Sequence, residues 1–512
     1  MALLNSSQRT PSLFSAICIG VGSIIGSGWL FASYFAAKFV GPASIISWII
    51  GATIALFIAL LLAEIATMYQ ETGLFSRLIS ITHNRDYGFI IAISNWFAMV
   101  AIIPSEAVAT INYLGNAYQP VEAVMYTPSG SLTLIGIVTV WATMAIYGLL
   151  NYWGISLLAK SNNFITTIKL VVPAATGFIF IASSFHPQNF TAYHNTIAPY
   201  GIGNIFTAIV SCGIFYAFYG FSLITVFAKE IKNPQRNLPL ALIGSVSACL
   251  IIYLILQVSF IGAIDPTTIA TQGWHSLDFK SPLANLAAIL GLNWLVILLY
   301  ADAALSPSGC GSIYLGSGSR MLQGMAEDKQ MPAIFARVNQ RFMISRTSLL
   351  FTLAICFIIS VFFDSWQKIM VVVTVFQLIS CVAVPIAFMK LRQDKPNEQR
   401  TFRLPFGKIT SMCAFLIVSY LLTQCGTAPL LLSLGIHFLF MILYCFTSYK
   451  LSFKPTLNSF LSSWSIFVYM IIITAFGYMH DHGNLNTYLG LGGFLISSVI
   501  MYFLLINQKE YK

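Results

Sequence analysis

Gly20-Val21-Gly22-Ser23-Ile24-Ile25-Gly26-Ser27-Gly28 lies inside the first long apolar segment of the chain, near residues 13–35. Four glycines and two serines in nine residues make a poor continuous helix, because glycine costs about 1 kcal/mol per position relative to alanine. Inside a bilayer every freed N–H and C=O must also find a partner within the protein. A helix that breaks here has bare peptide groups to offer a polar ligand. Small residues that let two helices pack closely are the other explanation. The stretch alone admits both, so the remainder of the chain decides.

The 512 residues are 57% hydrophobic and 8% charged, against about 25% charged in soluble domains. Such a chain is an all-α polytopic membrane protein whose first partner is the lipid bilayer. The nine cysteines form no CxxC pair. They read as small apolar packers, and neither a metal nor another cofactor is expected. Stretches of about 20 apolar residues run near 13–35, 43–68, 87–116, 131–149, 156–182, 200–227, 238–263, 291–319, 347–363, 367–390, 409–425, 427–448, 459–479 and 486–506. They predict about fourteen spans. The stretch between Asp265 and Gly291 is too polar to cross and predicts a short helix at one face. Arg9 ahead of the first run resembles a signal peptide, but no convincing cleavage site follows, and a retained first helix is expected.

Lysine and arginine set the orientation. With the amino terminus inside and the spans alternating, only Lys38, Lys280 and Lys368 fall outside and Lys169 within a span; the rest of the 26 basic residues fall inside. The net charge of +10 is thereby a topology signal and no nucleic-acid footprint. Both termini are expected in the cytoplasm.

The sixth span repeats the oddity of the first, with Gly213-Ile214-Phe215-Tyr216-Ala217-Phe218-Tyr219-Gly220-Phe221-Ser222 in mid-membrane. Spans one and six run in opposite directions. That is the pattern of an inverted repeat of five plus five helices, in which the first helix of each half is broken and the substrate sits between the breaks. The expected organisation is a ten-helix transport core over 1–390, with halves near 10–185 and 198–390. A cytoplasmic loop at 391–408 follows, then four additional spans and a short tail over 409–512.

Charged residues inside spans mark further candidates, since each costs at least about 2.5–3.5 kcal/mol at the bilayer centre. Lys169 reads as a proton carrier whose ammonium takes the place of a sodium ion, or as a structural ion pair with Glu106 or Asp302. Glu106, two residues after Pro104, reads as a second proton site, part of the pocket, or a structural acceptor. Asp302 precedes the small-residue run Ser306-Pro307-Ser308-Gly309-Cys310-Gly311-Ser312, which can offer oxygens to a cation. Glu64 reads as a solvated helix end more readily than a gate contact, and His437 as a satisfied core histidine. The aromatic run Phe215, Tyr216, Phe218, Tyr219 and Phe221 is placed to gate the pocket or to fill the core.

Gly22-Ser23-Ile24-Ile25-Gly26-Ser27-Gly28 resembles the first-helix motif of permeases of the amino acid–polyamine–organocation superfamily. Lys229-Glu230-Ile231-Lys232-Asn233-Pro234-Gln235-Arg236-Asn237-Leu238-Pro239 resembles the loop after their sixth helix. Arg320-Met321-Leu322-Gln323-Gly324-Met325-Ala326-Glu327-Asp328 with Met331-Pro332 resembles the loop after their eighth, and Phe402-Arg403-Leu404-Pro405 the loop after their tenth. Four such stretches in order cover about residues 10–450. Within the superfamily the chain is most similar to the aspartate–proton symporter group, through Trp29, Asn151-Tyr152-Trp153 and Leu298-Leu299-Tyr300-Ala301-Asp302.

The resemblance implies the LeuT-type fold and a substrate with an α-amino and an α-carboxyl group. It places the substrate carboxylate on the N–H groups of Ser27 and Gly28, beside Gly26, and the ammonium on carbonyls of Ile24, Tyr216 and Tyr219. Phe218 and Gly220 belong to the second break, and Tyr216 matches an aromatic gate. Lys169 matches a lysine that stands in for sodium, with Gly20, Val21 and Ser308 as neighbours. Where antiporter relatives carry a glutamate this chain has Ser222, which leans towards symport. The expected function is proton-coupled symport of an acidic amino acid by alternating access in a bacterial-type inner membrane. The alternatives are an amino-acid exchanger or a neutral amino-acid permease, and, further off, a membrane-embedded enzyme or a channel. Trans-stimulation without pH dependence would mark the exchanger.

Overall fold

The computed structural model describes residues 12–69, 74–127, 131–152, 156–227, 231–339, 344–363, 365–449 and 452–508. Trp153, Lys229 and Glu230 of the motif stretches, Arg9, Arg341 and Lys450 of the charge argument, and both termini lie outside them. Helices dominate what is described, and the only β pairings among these residues are two isolated bridges.

In chain order the helices are α1 (Leu13–Ile24), α2 (Gly28–Val40), α3 (Ser44–Met68), α4 (Leu74–Thr82), α5 (Arg85–Asn116), α6 (Gln119–Met125), α7 (Leu134–Tyr152) and α8 (Ser156–Ser183). Then come α9 (Asn204–Ser211), α10 (Ile214–Phe218), a 3₁₀ turn over Phe221–Phe227, α11 (Pro234–Ala263), α12 (Pro266–Gln272), α13 (Pro282–Ile289), α14 (Asn293–Glu327), α15 (Arg346–Phe362) and α16 (Trp366–Asp394). The chain continues through α17 (Gly407–Thr423), α18 (Thr427–Tyr449), α19 (Phe453–Asp481) and α20 (Tyr488–Ile506). Each apolar stretch read from the sequence contains a helix. The polar 265–291 stretch holds two short ones, α12 and α13, rather than one.

Among the described residues nine helices are long and apolar enough to cross a membrane, or ten if a bent pair counts as one span. Four shorter apolar helices, Leu13–Ile24, Thr167–Ser183, Arg346–Phe362 and Gly407–Thr423, lie on other predicted stretches. The apolar window of α5 is wholly buried and that of α16 is 94% buried, whereas those of α7, α18 and α20 bury 33–39%. So α5 and α16 form the interior. The outer helices turn Leu134, Val138, Phe438, Leu439, Ile496 and Ile500 outwards, as lipid-facing surfaces require. Helices α14 and α16 both pack along α5, while α11 packs against α1, α3 and α8.

Both glycine-rich stretches are interrupted. The helix α1 stops at Ile24; Ile25 is extended (φ −79°, ψ 102°), and α2 starts afresh with Ser27 at its N-cap. In the second stretch Gly213 is left-handed (φ 81°), α10 lasts five residues, Tyr219 is extended and Gly220 has φ 115°. The pieces 204–211 and 214–225 are bent by 56°.

Glu64 is not the solvated helix end expected of it. It is 1% exposed and accepts from Arg392 Nε (3.0 Å), Arg392 Nη2 (2.7 Å) and the Leu404 N–H (2.7 Å). Arg400, its side chain 3% exposed, makes a further ion pair at 3.1 Å. The end of α3 thereby holds the end of α16 and the loop that follows it.

Candidate functional site

Glu106 sits where the two broken helices meet. It rides on α5, which stays helical through Pro104, and is 1% exposed. One carboxylate oxygen accepts the Ser27 N–H at 2.8 Å. The other accepts the Tyr216 hydroxyl at 2.8 Å. The Tyr216 oxygen also lies 2.8 Å from Ser105 Oγ and 3.4 Å from Ser27 Oγ. Ser27 Oγ accepts the indole N–H of Trp366 at 2.8 Å. Glu106 of α5 thus meets the start of α2 and α10 at its carboxylate, and α16 joins through Ser27 Oγ.

The break creates this arrangement. The first N–H groups of a helix have no partner within it, and its N-terminus carries about half a positive charge. Ser27 opens the 13-residue α2, so its N–H is free to hold an anion. Glycine at 26 is required by space: an added Cβ would stand 2.5 Å from Glu106 Oε1 and 2.8 Å from Cys310 Sγ. At Gly28 an added Cβ would meet that of Ala217 at 3.0 Å. The rings of Phe31 and Phe35 stack on Trp366 at 4.9 and 5.8 Å and cover the site from one side.

The sequence placed Ser27 and Tyr216 in the substrate pocket and Glu106 with the proton groups; the structure brings the three together. Ser105 and Trp366 of the same cluster were missed, and Cys310 was named only within the small-residue run that follows Asp302. A tryptophan at the start of a span looks like any interfacial aromatic, and only its contact with Ser27 distinguishes it.

Lys169, 1% exposed, donates to the Gly22 carbonyl at 3.1 Å. The expected acceptors were Gly20 or Val21. The Val21 carbonyl accepts the Ile25 N–H instead. Gly20 serves close packing, since a Cβ there would meet Ile224 Cδ1 at 2.5 Å and Ser245 Cβ at 2.7 Å. Lys169 makes no direct ion pair with Glu106 or Asp302, although both lie within its electrostatic reach. Asp302 accepts from Ser306 Oγ at 2.9 Å, and its other oxygen has no partner. Ser308 accepts from the Tyr147 hydroxyl at 3.1 Å.

At the second break, the Tyr216 carbonyl accepts the Tyr219 N–H at 3.1 Å, which leaves it a poorer ammonium acceptor than expected. The Phe218 ring packs edge-on against Trp48 and Tyr253. The Tyr219 hydroxyl donates to Asn95 at 2.6 Å. The Ser222 carbonyl accepts from Thr225 Oγ1 at 2.6 Å. Ile24 ends α1 and is buried. His437, 0% exposed, contacts Ser94 at 2.5 Å and the Ser433 carbonyl at 2.7 Å, the satisfied core role expected of it.

Comparison with known proteins supplies the family. The family model described as amino acid permease matches residues 12–476. The chain is 39% identical over 423 residues to the glutamate/serine transporter AimA of Bacillus subtilis, covering 82% of this chain and 78% of that one. It is 32% identical over 481 residues to the aspartate-proton symporter of the same organism, covering 93% and 91%. It is 25% identical over 456 residues to the branched-chain amino acid permease BcaP, covering 85% and 93%. The chain belongs to the amino acid permease family, and is an integral membrane protein for amino-acid transport rather than an enzyme.

Proposed function

We propose that this permease is a proton-coupled symporter of an acidic amino acid, working by alternating access in a bacterial inner membrane. The observation that carries the reading is the 2.8 Å hydrogen bond from the Ser27 N–H to Glu106. The Ser27 peptide N–H, suited to a substrate carboxylate, is occupied by a carboxylate of the protein itself. Two ionised carboxylates about 4 Å apart repel by about 4 kcal/mol at an effective dielectric near 20. A substrate carboxylate therefore enters when Glu106 has taken up a proton and released Ser27. One proton and one zwitterion then load together.

In this reading Ser27 and Gly28 hold the α-carboxylate, and the carbonyls of Ile24 and Tyr219 receive the ammonium. Lys169 fixes α1 through Gly22, and its ammonium offsets the negative charge of Glu106 and Asp302 across the core without touching either. The ten-helix core at 1–390, its inverted halves, the fourteen spans and the cytoplasmic loop at 391–408 belong to the same proposal. The glutamate/serine and aspartate-proton transporters among the relatives support an acidic or small polar substrate.

The test is uptake of labelled aspartate into proteoliposomes under an imposed pH gradient, competed by a panel of amino acids. Acid outside is expected to drive accumulation, and acidic amino acids to compete best. Neutral amino acids winning, or stimulation by internal substrate with no pH dependence, overturns the reading. Glu106→Gln mimics the protonated acid. It is expected to keep exchange at equal pH but to lose about tenfold or more of proton-driven accumulation. Accumulation at the wild-type level would remove Glu106 from coupling.

A further inference from the structure

Gln377 lies in the middle of α16, is 0% exposed, and has no partner for either its amide oxygen or its amide nitrogen. Leaving a buried donor and acceptor unmade is costly, more so where lipid excludes water. The contrast is Gln257 on α11, equally buried, which accepts from Trp48 Nε1 at 2.8 Å and donates to the Ser33 carbonyl at 3.1 Å.

The neighbours fix where Gln377 sits. At 100° per residue, Trp366, Met370, Gln377 and Cys381 share one face of α16. Trp366 touches Ser27. Met370 lies 3.5 Å from where a side chain on Gly213 would begin, and α16 packs against α10. This is the face turned to the second broken stretch. The depth follows from the next residue, because Phe376 packs on Phe97 of α5 with ring centroids 4.4 Å apart. Gln377 is therefore at the depth of Asn95–Phe97 on α5, the level at which the Tyr219 hydroxyl bonds Asn95 and the Asn95 amide nitrogen touches Met321 Sδ at 3.7 Å. Asn95 and Glu106 are separated along α5 by about 16 Å at 1.5 Å per residue. An acidic amino acid held at Ser27 cannot reach that far.

We propose that Gln377 and Asn95 form a second, transient binding station for the polar groups of the amino acid, on the way out towards the face that carries the 391–408 loop. The proposal rests on the reading of the breaks as an amino-acid site. The Tyr219–Asn95 hydrogen bond closes the station in the present conformation. When the 213–220 stretch swings away, Asn95 loses the tyrosine and its amide joins that of Gln377 facing the path. Two neutral amides suit this task. Their N–H groups receive carboxylates and their carbonyls receive an ammonium, without the tight grip of a full charge that would slow release.

The test measures transport of labelled aspartate in right-side-out and inside-out membrane vesicles, which present opposite faces to the label. With Gln377→Met, the KM from the face carrying the 391–408 loop is expected to rise about tenfold, the worth of a hydrogen bond or two to charged groups. The KM from the opposite face stays within about twofold. Gln377→Glu keeps the size, repels the acidic cargo, and is expected to show the same one-sided rise, so it serves if the methionine variant does not fold. An equal change from both faces, or none from either, overturns the proposal. Wild-type vesicles that accumulate no amino acid at all would instead overturn the proposed function.

Discussion

Gly220→Ala is expected to abolish transport while its neighbour in kind, Gly324→Ala, transports normally. Gly220 has φ 115°, a conformation that costs a residue with a Cβ on the order of 1–3 kcal/mol. The added methyl would also stand 2.5 Å from the Ser23 carbonyl oxygen, 2.8 Å from its carbon and 3.0 Å from the Tyr314 hydroxyl. Two of these are backbone atoms of α1, which cannot turn aside as a flexible side chain does. The two broken helices would have to separate where they touch, on the order of 1–3 kcal/mol more. At Gly324 an added Cβ meets nothing within 4 Å, so the exchange is expected to be neutral. Initial uptake rates, normalised to the protein reconstituted, check both. Wild-type rates in Gly220→Ala would mean that the two breaks do not touch during transport.

The second large effect is on stability. Glu64→Ala is expected to lower the thermal midpoint in detergent sharply and to reduce the yield of monodisperse protein. Removing the carboxylate leaves Arg392 and Arg400 close together and buried, their side chains 14% and 3% exposed, with the Leu404 N–H unpaired. Removing one partner from a buried ion pair costs about 3–5 kcal/mol. Glu64→Gln keeps acceptor oxygen without the charge and should fall between. The triple replacement by leucine at 64, 392 and 400 should recover part of the loss, because it orphans no charge. A midpoint for Glu64→Ala within a degree or so of wild type, by the usual stability scaling, would show that the arginines find other acceptors.

What the sequence disclosed was local. Apolar length marked the helices, and glycines in mid-span marked both interruptions, because these signals live within twenty residues of each other. The missed features are pairings between distant parts. Glu64 looks solvated because its two arginines and the Leu404 N–H arrive more than three hundred positions later. Ser27 and Glu106 were each singled out, but nothing local says that one would sit on the other, since that depends on how α5 lies against the break. Lys169 reaches one peptide beyond Val21 because α1 keeps its helical bonds as far as Ile25. Gln377 escaped because a neutral amide among apolar residues raises no alarm when only charges are weighed.

The anion cradle at the start of α2 is made of main chain, and this bears on how such a protein changes over generations. No side-chain replacement at position 27 short of proline deletes an N–H. On the proposed reading, in which this N–H takes the substrate carboxylate, the grip common to all amino acids is shielded from most single mutations, while the residues that judge their side chains are free to drift. Substrate preference could then wander between descendants of one ancestor without loss of hold on the zwitterion.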